Sequence, residues 1–159
     1  MIQVANPVSI VGEYHFQEHT MASVLIVEDD PLIAISLRMV LEDEGHEVCG
    51  VAVTEQQAIS LGLIHRPDVA VVDVRLAEGS GIAVGRRLLA EGTRVLFATA
   101  YAAEIAREFH DVDVPIIEKP YDAQSIVRTV RLLSVGGLSS DGSCGLPSGV
   151  LVAGGRRAA

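Results

Sequence analysis

The chain has 159 residues, 49% of them hydrophobic, and a formal charge of −9 from 12 basic and 21 acidic side chains. That length fits one domain able to bury most of its chain surface. The acidic balance argues against direct nucleic-acid binding, which needs a basic footprint, and no apolar run approaches the roughly 18 residues of a membrane span.

Residues 1–20 lack a basic n-region, so no signal peptide is expected, and Met21 directly precedes the first strand. They read as a disordered leader or extension. His15-Phe-Gln-Glu18-His19 matches a short zinc-protease pattern, but it has neither helix signal nor third ligand and is set aside. Ser23–Glu28 reads as a buried strand. Asp30 caps a helix with Pro31 at its first position, running to Glu44 and stopping at Gly45. Glu47–Val53 is a second strand. Thr54 caps the next helix, with Gln57 as its capping-box partner. Asp68–Asp73 is a strand of Val and Ala, apolar on both faces as central parallel strands are. Val74–Gly81 is a loop, Ile82–Glu91 a helix, Arg94–Ala98 a strand and Ala102–His110 a helix. Val114–Glu118 is the fifth strand, and the last helix runs from Asp122 to near Leu133. From Val135 the chain turns to Gly, Ser and small residues without periodicity. The expected organisation is a domain over residues 21–134 and a disordered tail over 135–159. Cys49 and Cys144 suggest no disulfide framework, in keeping with free thiols in a reducing cytoplasm.

Five alternating strand and helix pairs imply an α/β fold: a doubly wound, five-stranded parallel sheet, flavodoxin-like, in strand order 2-1-3-4-5. In such a sheet the C-terminal strand ends share one edge. Glu28, Asp29 and Asp30 follow strand 1, Asp73 ends strand 3, Thr99 follows strand 4, and Lys119, the only lysine, follows strand 5. The topology brings them together although the chain separates them.

A cluster of carboxylates repels itself by roughly 4 kcal/mol per pair at ~4 Å and an effective dielectric of 20. A hard cation such as Mg2+ offsets this while keeping waters and a phosphate oxygen. Asp30 is better read as a helix cap, because Pro31 follows it. Glu28 and Asp29 match Asp73 and read as cation ligands. Asp73 would be a nucleophile toward phosphorus, against the plainer reading of a strand-terminal turn residue. Lys119 would pair with Asp73 and later with the phosphoryl oxygens, and Thr99 would donate its hydroxyl to one of them. Alone, Thr99 reads better as a helix cap. On the first helix, Ile33, Leu37, Val40 and Leu41 form a core face. Leu32, Ile35 and Met39 lie opposite, as scattered surface residues or as a docking face for a partner's helices.

Residues from about Ala22 to Leu133 resemble the receiver domain of two-component response regulators. The pattern is an acid pair after strand 1, an aspartate after strand 3, Thr or Ser after strand 4 and Lys-Pro after strand 5. Here it is Glu28-Asp29, Asp73, Thr99 and Lys119-Pro120. The resemblance implies Mg2+ held by Glu28, Asp29, Asp73 and the backbone carbonyl of Arg75. It implies that Asp73 accepts a phosphoryl group from a sensor histidine kinase or a histidine phosphotransfer protein. Thr99 and Lys119 then read the phosphate. Two positions depart from the pattern: Ile116 replaces the usual aromatic switch residue, and Ala77 replaces a frequent loop proline. Phe97-Ala-Thr-Ala-Tyr101 resembles the Phe-Ala-Thr-Gly motif of a group of small alphaproteobacterial regulators, with Ala100 in place of glycine. Tyr101 is the candidate to take over the switch role, or else to limit water access. The expectation is a stand-alone, cytoplasmic phosphorylation switch with an unidentified downstream protein partner, and neither DNA contact nor membrane insertion. The rival is an aspartate-nucleophile phosphatase of related topology, whose nucleophile would follow strand 1.

Overall fold

The structure, a computed structural model, describes residues 21–137 and 145–154. The leader, the zinc-protease pattern and Cys144 lie outside the described residues. The elements are β1 (Ser23–Val27), α1 (Pro31–Asp43), β2 (Glu47–Ala52), α2 (Glu55–His65), β3 (Val69–Val72), α3 (Gly81–Ala90), β4 (Arg94–Thr99), α4 (Ala102–Glu108), β5 (Val114–Glu118), α5 (Ala123–Ser134) and β6 (Val150–Ala153). The sheet order is β2-β1-β3-β4-β5-β6. All pairings are parallel except β5 with β6, which is antiparallel.

Caps sit where the sequence puts them. Asp30 Oδ1 accepts from the N–H groups of Leu32 and Ile33. Thr54 Oγ1 accepts from the Gln57 N–H, while the Gln57 side chain accepts from the Val53 N–H. These bonds satisfy donors that a helix start would otherwise leave bare. Alternate strand residues feed two cores. Leu25, Val72, Leu88, Phe97 and Phe109 pack on the α2–α4 side. Ile26, Leu41, Leu96, Ile126 and Val130 pack on the α1 and α5 side.

The expected five-stranded sheet and disordered tail need correction at one point. Val150–Ala153 forms a sixth strand along β5, and Ala153 is 3% exposed. The physical reason is the β5 edge, whose outward N–H and C=O groups would otherwise lack sheet partners. Four uncharged residues rich in Val suffice to cover it, yet they are too few for a periodic signal.

His46, 5% exposed, lies between α1 and β2. Its Nδ1 accepts from the Ala22 N–H, and its Nε2 has no hydrogen-bond partner among the described residues. Burial, and secondarily the charge of Arg131, hold the imidazole below its ordinary value of 6.5, against a smaller opposing pull from Glu44. The unfolded chain therefore takes up this proton at a higher pH than the folded chain does. Stability should fall as pH drops below about 6.5. Thermal melts of wild type and His46→Asn between pH 7 and 5 check this: the variant should lose part of the slope. An unchanged slope would assign it to other groups.

Candidate functional site

Register aligns the strand ends. Val27 of β1 pairs with Val72 of β3, so Glu28 and Asp73 leave their strands at the same level. Val72 pairs with Phe97 of β4, which places Thr99 one residue beyond that level. Thr99 pairs with Glu118, and Lys119 follows at once, its N–H donating to the Thr99 carbonyl at 3.0 Å. Short parallel strands with buried faces thus deliver four separate segments to one edge.

Lys119 holds the centre. Its Nζ donates to Glu28 Oε2 and to Asp73 Oδ2, both at 2.8 Å. Glu28 and Asp73 are buried, and Asp29 is exposed beside them. Glu28, Asp29 and Asp73 each place a carboxylate oxygen within 4.8 Å of the others. At that spacing an effective dielectric of 20 makes each pairwise repulsion about 3.5 kcal/mol. Lys119 offsets part of it. Burial works against the Lys119 ammonium, but the hydrogen bonds and charges of Asp73 and Glu28 outweigh it and raise its pKa. Burial also raises the Glu28 carboxyl, against the hydrogen bonds from Lys119 and the Asp30 N–H. The Tyr121 hydroxyl is pushed up to about 12, chiefly by burial. An all-oxygen donor set with surplus negative charge suits a hard divalent cation.

Thr99 is fully buried, and its Oγ1 accepts from the Tyr101 N–H at 3.2 Å. The hydroxyl oxygen thus engages the backbone of the residue before α4 and does not cap the helix, which has no side-chain cap bond. Tyr101 itself is the N-cap and makes no side-chain cap bond. Its ring is partly exposed, with the Arg75 guanidinium 4.4 Å from the centroid. Arg75 also donates to Glu104 of α4 at 2.7 Å. Ala100 is exposed, and Ile116 is 1% exposed beneath the sheet edge. Leu32, Ile35 and Met39 are exposed on α1, as the helical spacing implied. Beside them, Leu32, Ile33, Leu37, Lys119, Pro120 and Tyr121 line an open groove of about 610 Å³.

Two contributors escaped the sequence reading. Gly81 begins α3, and its N–H donates to the Val74 carbonyl at 2.9 Å. A Cβ there would collide with the Asp73 carbonyl, so the helix start sets the height of the Asp73 backbone. The repeated glycines at 79 and 81 were the available signal. The second contributor is the Arg75 side chain, which ties the loop after β3 to α4. Arg75 and Glu104 are 29 residues apart, with no sequence pattern to join them.

The family model for the response regulator receiver domain matches residues 24–131. The phyllosphere-induced regulator PhyR of Methylorubrum extorquens is 35% identical over 106 residues, covering 65% of this chain and 40% of that protein. The transcriptional regulatory protein PdtaR of Mycobacterium tuberculosis is 28% identical over 112 residues, covering 69% of this chain and 55% of that protein. The chain thus spans about half the length of these curated relatives. Among solved structures, the receiver domain of the PhyR response regulator of Erythrobacter litoralis superposes with a TM-score of 0.68 at 27% identity, covering 75% of this chain and 94% of that one.

Proposed function

The chain belongs to the response regulator receiver domain family of two-component signalling, and we propose on that premise that it is a phosphorylation switch with Asp73 as phosphoacceptor. The observation that carries this is the Lys119 ammonium bridging Asp73 and Glu28, both at 2.8 Å, inside the acidic cluster. Glu28, Asp29, Asp73 and the Arg75 carbonyl would hold Mg2+. Bound there, the ion supplies neutralisation of charge on an incoming phosphoryl group. Asp73 supplies the attacking carboxylate oxygen. An Asp73 oxygen–phosphorus bond forms as the donor's nitrogen–phosphorus bond breaks, and the electron pair leaves with the histidine nitrogen. Lys119 moves its charge from carboxylate to phosphoryl oxygens. Thr99 turns its hydroxyl toward the phosphoryl group, and the bond it accepts from the Tyr101 N–H then breaks.

Tyr101 is the candidate reporter of that turn, since Ile116 offers no ring. Its stacking with Arg75 links its position to the loop that carries Asp73. The donor is a sensor histidine kinase or a histidine phosphotransfer protein, docking on the Leu32, Ile35 and Met39 face beside the groove. Output passes to a downstream protein by contact or by onward transfer, which places the chain in the cytoplasm with the kinase. Among the described residues no helix is long and apolar enough to cross a membrane. Residues 21–134 are the proposed switch domain.

A phosphate-release assay tests the reading. With Mg2+ and a small acyl phosphate the chain should take up one phosphoryl group. With generic phosphate monoesters it should release no phosphate beyond background. Sustained turnover of those esters would favour the phosphatase alternative instead.

A further inference from the structure

β6 lies on the β5 edge as a separate piece, reached through residues 135–149. Val114 pairs with Ala153 and Ile116 with Leu151. The Lys119 N–H points to β4, bonding the Thr99 carbonyl. Strand N–H groups alternate in direction. Ile117 and Pro115 therefore face β4, while Ile116 and Val114 face β6. Pro115, which has no N–H to give, costs this outer pairing nothing. Leu151 and Ala153 are then the β6 residues bonded to β5, and the Val152 N–H points away.

The strand is also anchored to α4. Ala153 is buried with Phe109 and Val114 in the α4-side core. Gly154 adopts φ +95°, and a Cβ there would collide with the Val112 carbonyl just past α4. Phe109 packs on Phe97 with ring centroids 5.2 Å apart, and Phe97 stands two residues before Thr99 on β4. Phe97 and Phe109 thus join β4, which carries Thr99, to the end of α4 against which Ala153 packs. Along the rest of the strand Leu151 is 50% exposed and Val152 40%, while the half-buried Val150 packs against the α1 and α5 side core.

We propose that the β5 edge, flanked by α4, is an output surface for an extended, uncharged strand of a partner protein, and that β6 is its tethered resident occupant. A strand held on the same chain has an effective concentration on the order of millimolar. A free strand of the same kind loses to it until α4 shifts. The partner strand must be antiparallel to β5, carry no charge over four residues, and present a small residue opposite Val114. Only the trigger rests on phosphorylation at Asp73; the surface itself does not.

The full-length chain tests both parts. Hydrogen exchange is followed at the Leu151, Ala153 and Ile116 amides, with intact mass recording phosphorylation. With Mg2+ and acetyl phosphate these amides should exchange about tenfold faster or more, while Ile117, facing β4, keeps its protection. A fluorescent peptide of residues 148–154 should bind the phosphorylated chain and unphosphorylated Leu151→Pro, whose bond to β5 is lost. It should not bind unphosphorylated wild type or Val152→Pro, whose missing N–H faces solvent. Gly154→Ala, which disturbs only the anchor at α4, serves as a second loosened variant should circular dichroism show Leu151→Pro unfolded. Full phosphorylation with unchanged exchange at Leu151 and Ile116 would overturn the trigger. Failure of the peptide to bind a folded loosened variant would overturn the surface. Absence of phosphorylation would count against Asp73 alone and leave the peptide result to decide the surface.

Discussion

Lys119→Met should lower stability by on the order of 2 kcal/mol in metal-free buffer, a value between those of exposed and buried ion pairs. The ammonium is only partly shielded, with 21% of the side chain exposed, yet it serves two carboxylates. Removing it leaves Glu28 and Asp73 facing each other and Asp29 without their cation. Mg2+ should then restore more stability to the variant than it adds to wild type, because the uncompensated cluster binds a cation more tightly. Lys119→Arg separates charge from shape. It keeps the positive charge, but the planar guanidinium cannot replace a compact ammonium between two carboxylates. It should fold and bind Mg2+ with a blunted chemical-shift response to phosphorylation. Melts with and without Mg2+, and two-dimensional NMR spectra, provide the readouts. Equal Mg2+ stabilisation of Lys119→Met and wild type would contradict the electrostatic account.

Gly81→Ala should be among the most damaging single-methyl changes in the chain. The added carbon would meet the Asp73 carbonyl and the Val74 backbone, neither of which can swing aside as a flexible side chain does. Overpacking costs about 1–3 kcal/mol, and at times more. For a domain near 100 residues that is a fall in Tm of roughly 5–25 °C. The displacement acts on Asp73 itself, so Mg2+ affinity should fall along with stability. A melt within a few degrees of wild type would show that α3 can shift without disturbing the end of β3.

Where local chemistry and topology agreed, the sequence was readable. Asp30-Pro31 and Thr54 with Gln57 are short-range signals whose hydrogen bonds depend only on nearby backbone, and both caps formed as expected. Parallel topology then carried Glu28, Asp73, Thr99 and Lys119 to one edge, because short strands ending at matched registers leave little freedom. What failed depended on distant partners. β6 exists because β5 has an edge to fill, a property of residues 114–118 and not of 150–153. The Arg75 bridge to Glu104 and the close approach of Gly81 to Asp73 are likewise products of the folded arrangement. The exposure of Leu32, Ile35 and Met39 was legible from helical spacing; the docking role proposed for them has no such local signature.

The central claim is that Asp73 carries the phosphoryl group, and borohydride trapping tests it most directly. An aspartyl phosphate is an acyl phosphate, which borohydride reduces to homoserine while ordinary carboxylates are untouched. After incubation with Mg2+ and acetyl phosphate, reduction and peptide mass mapping should place homoserine at position 73 and nowhere else, with none when Mg2+ is withheld. Homoserine at Asp29 or Asp30 with Asp73 intact would contradict the account.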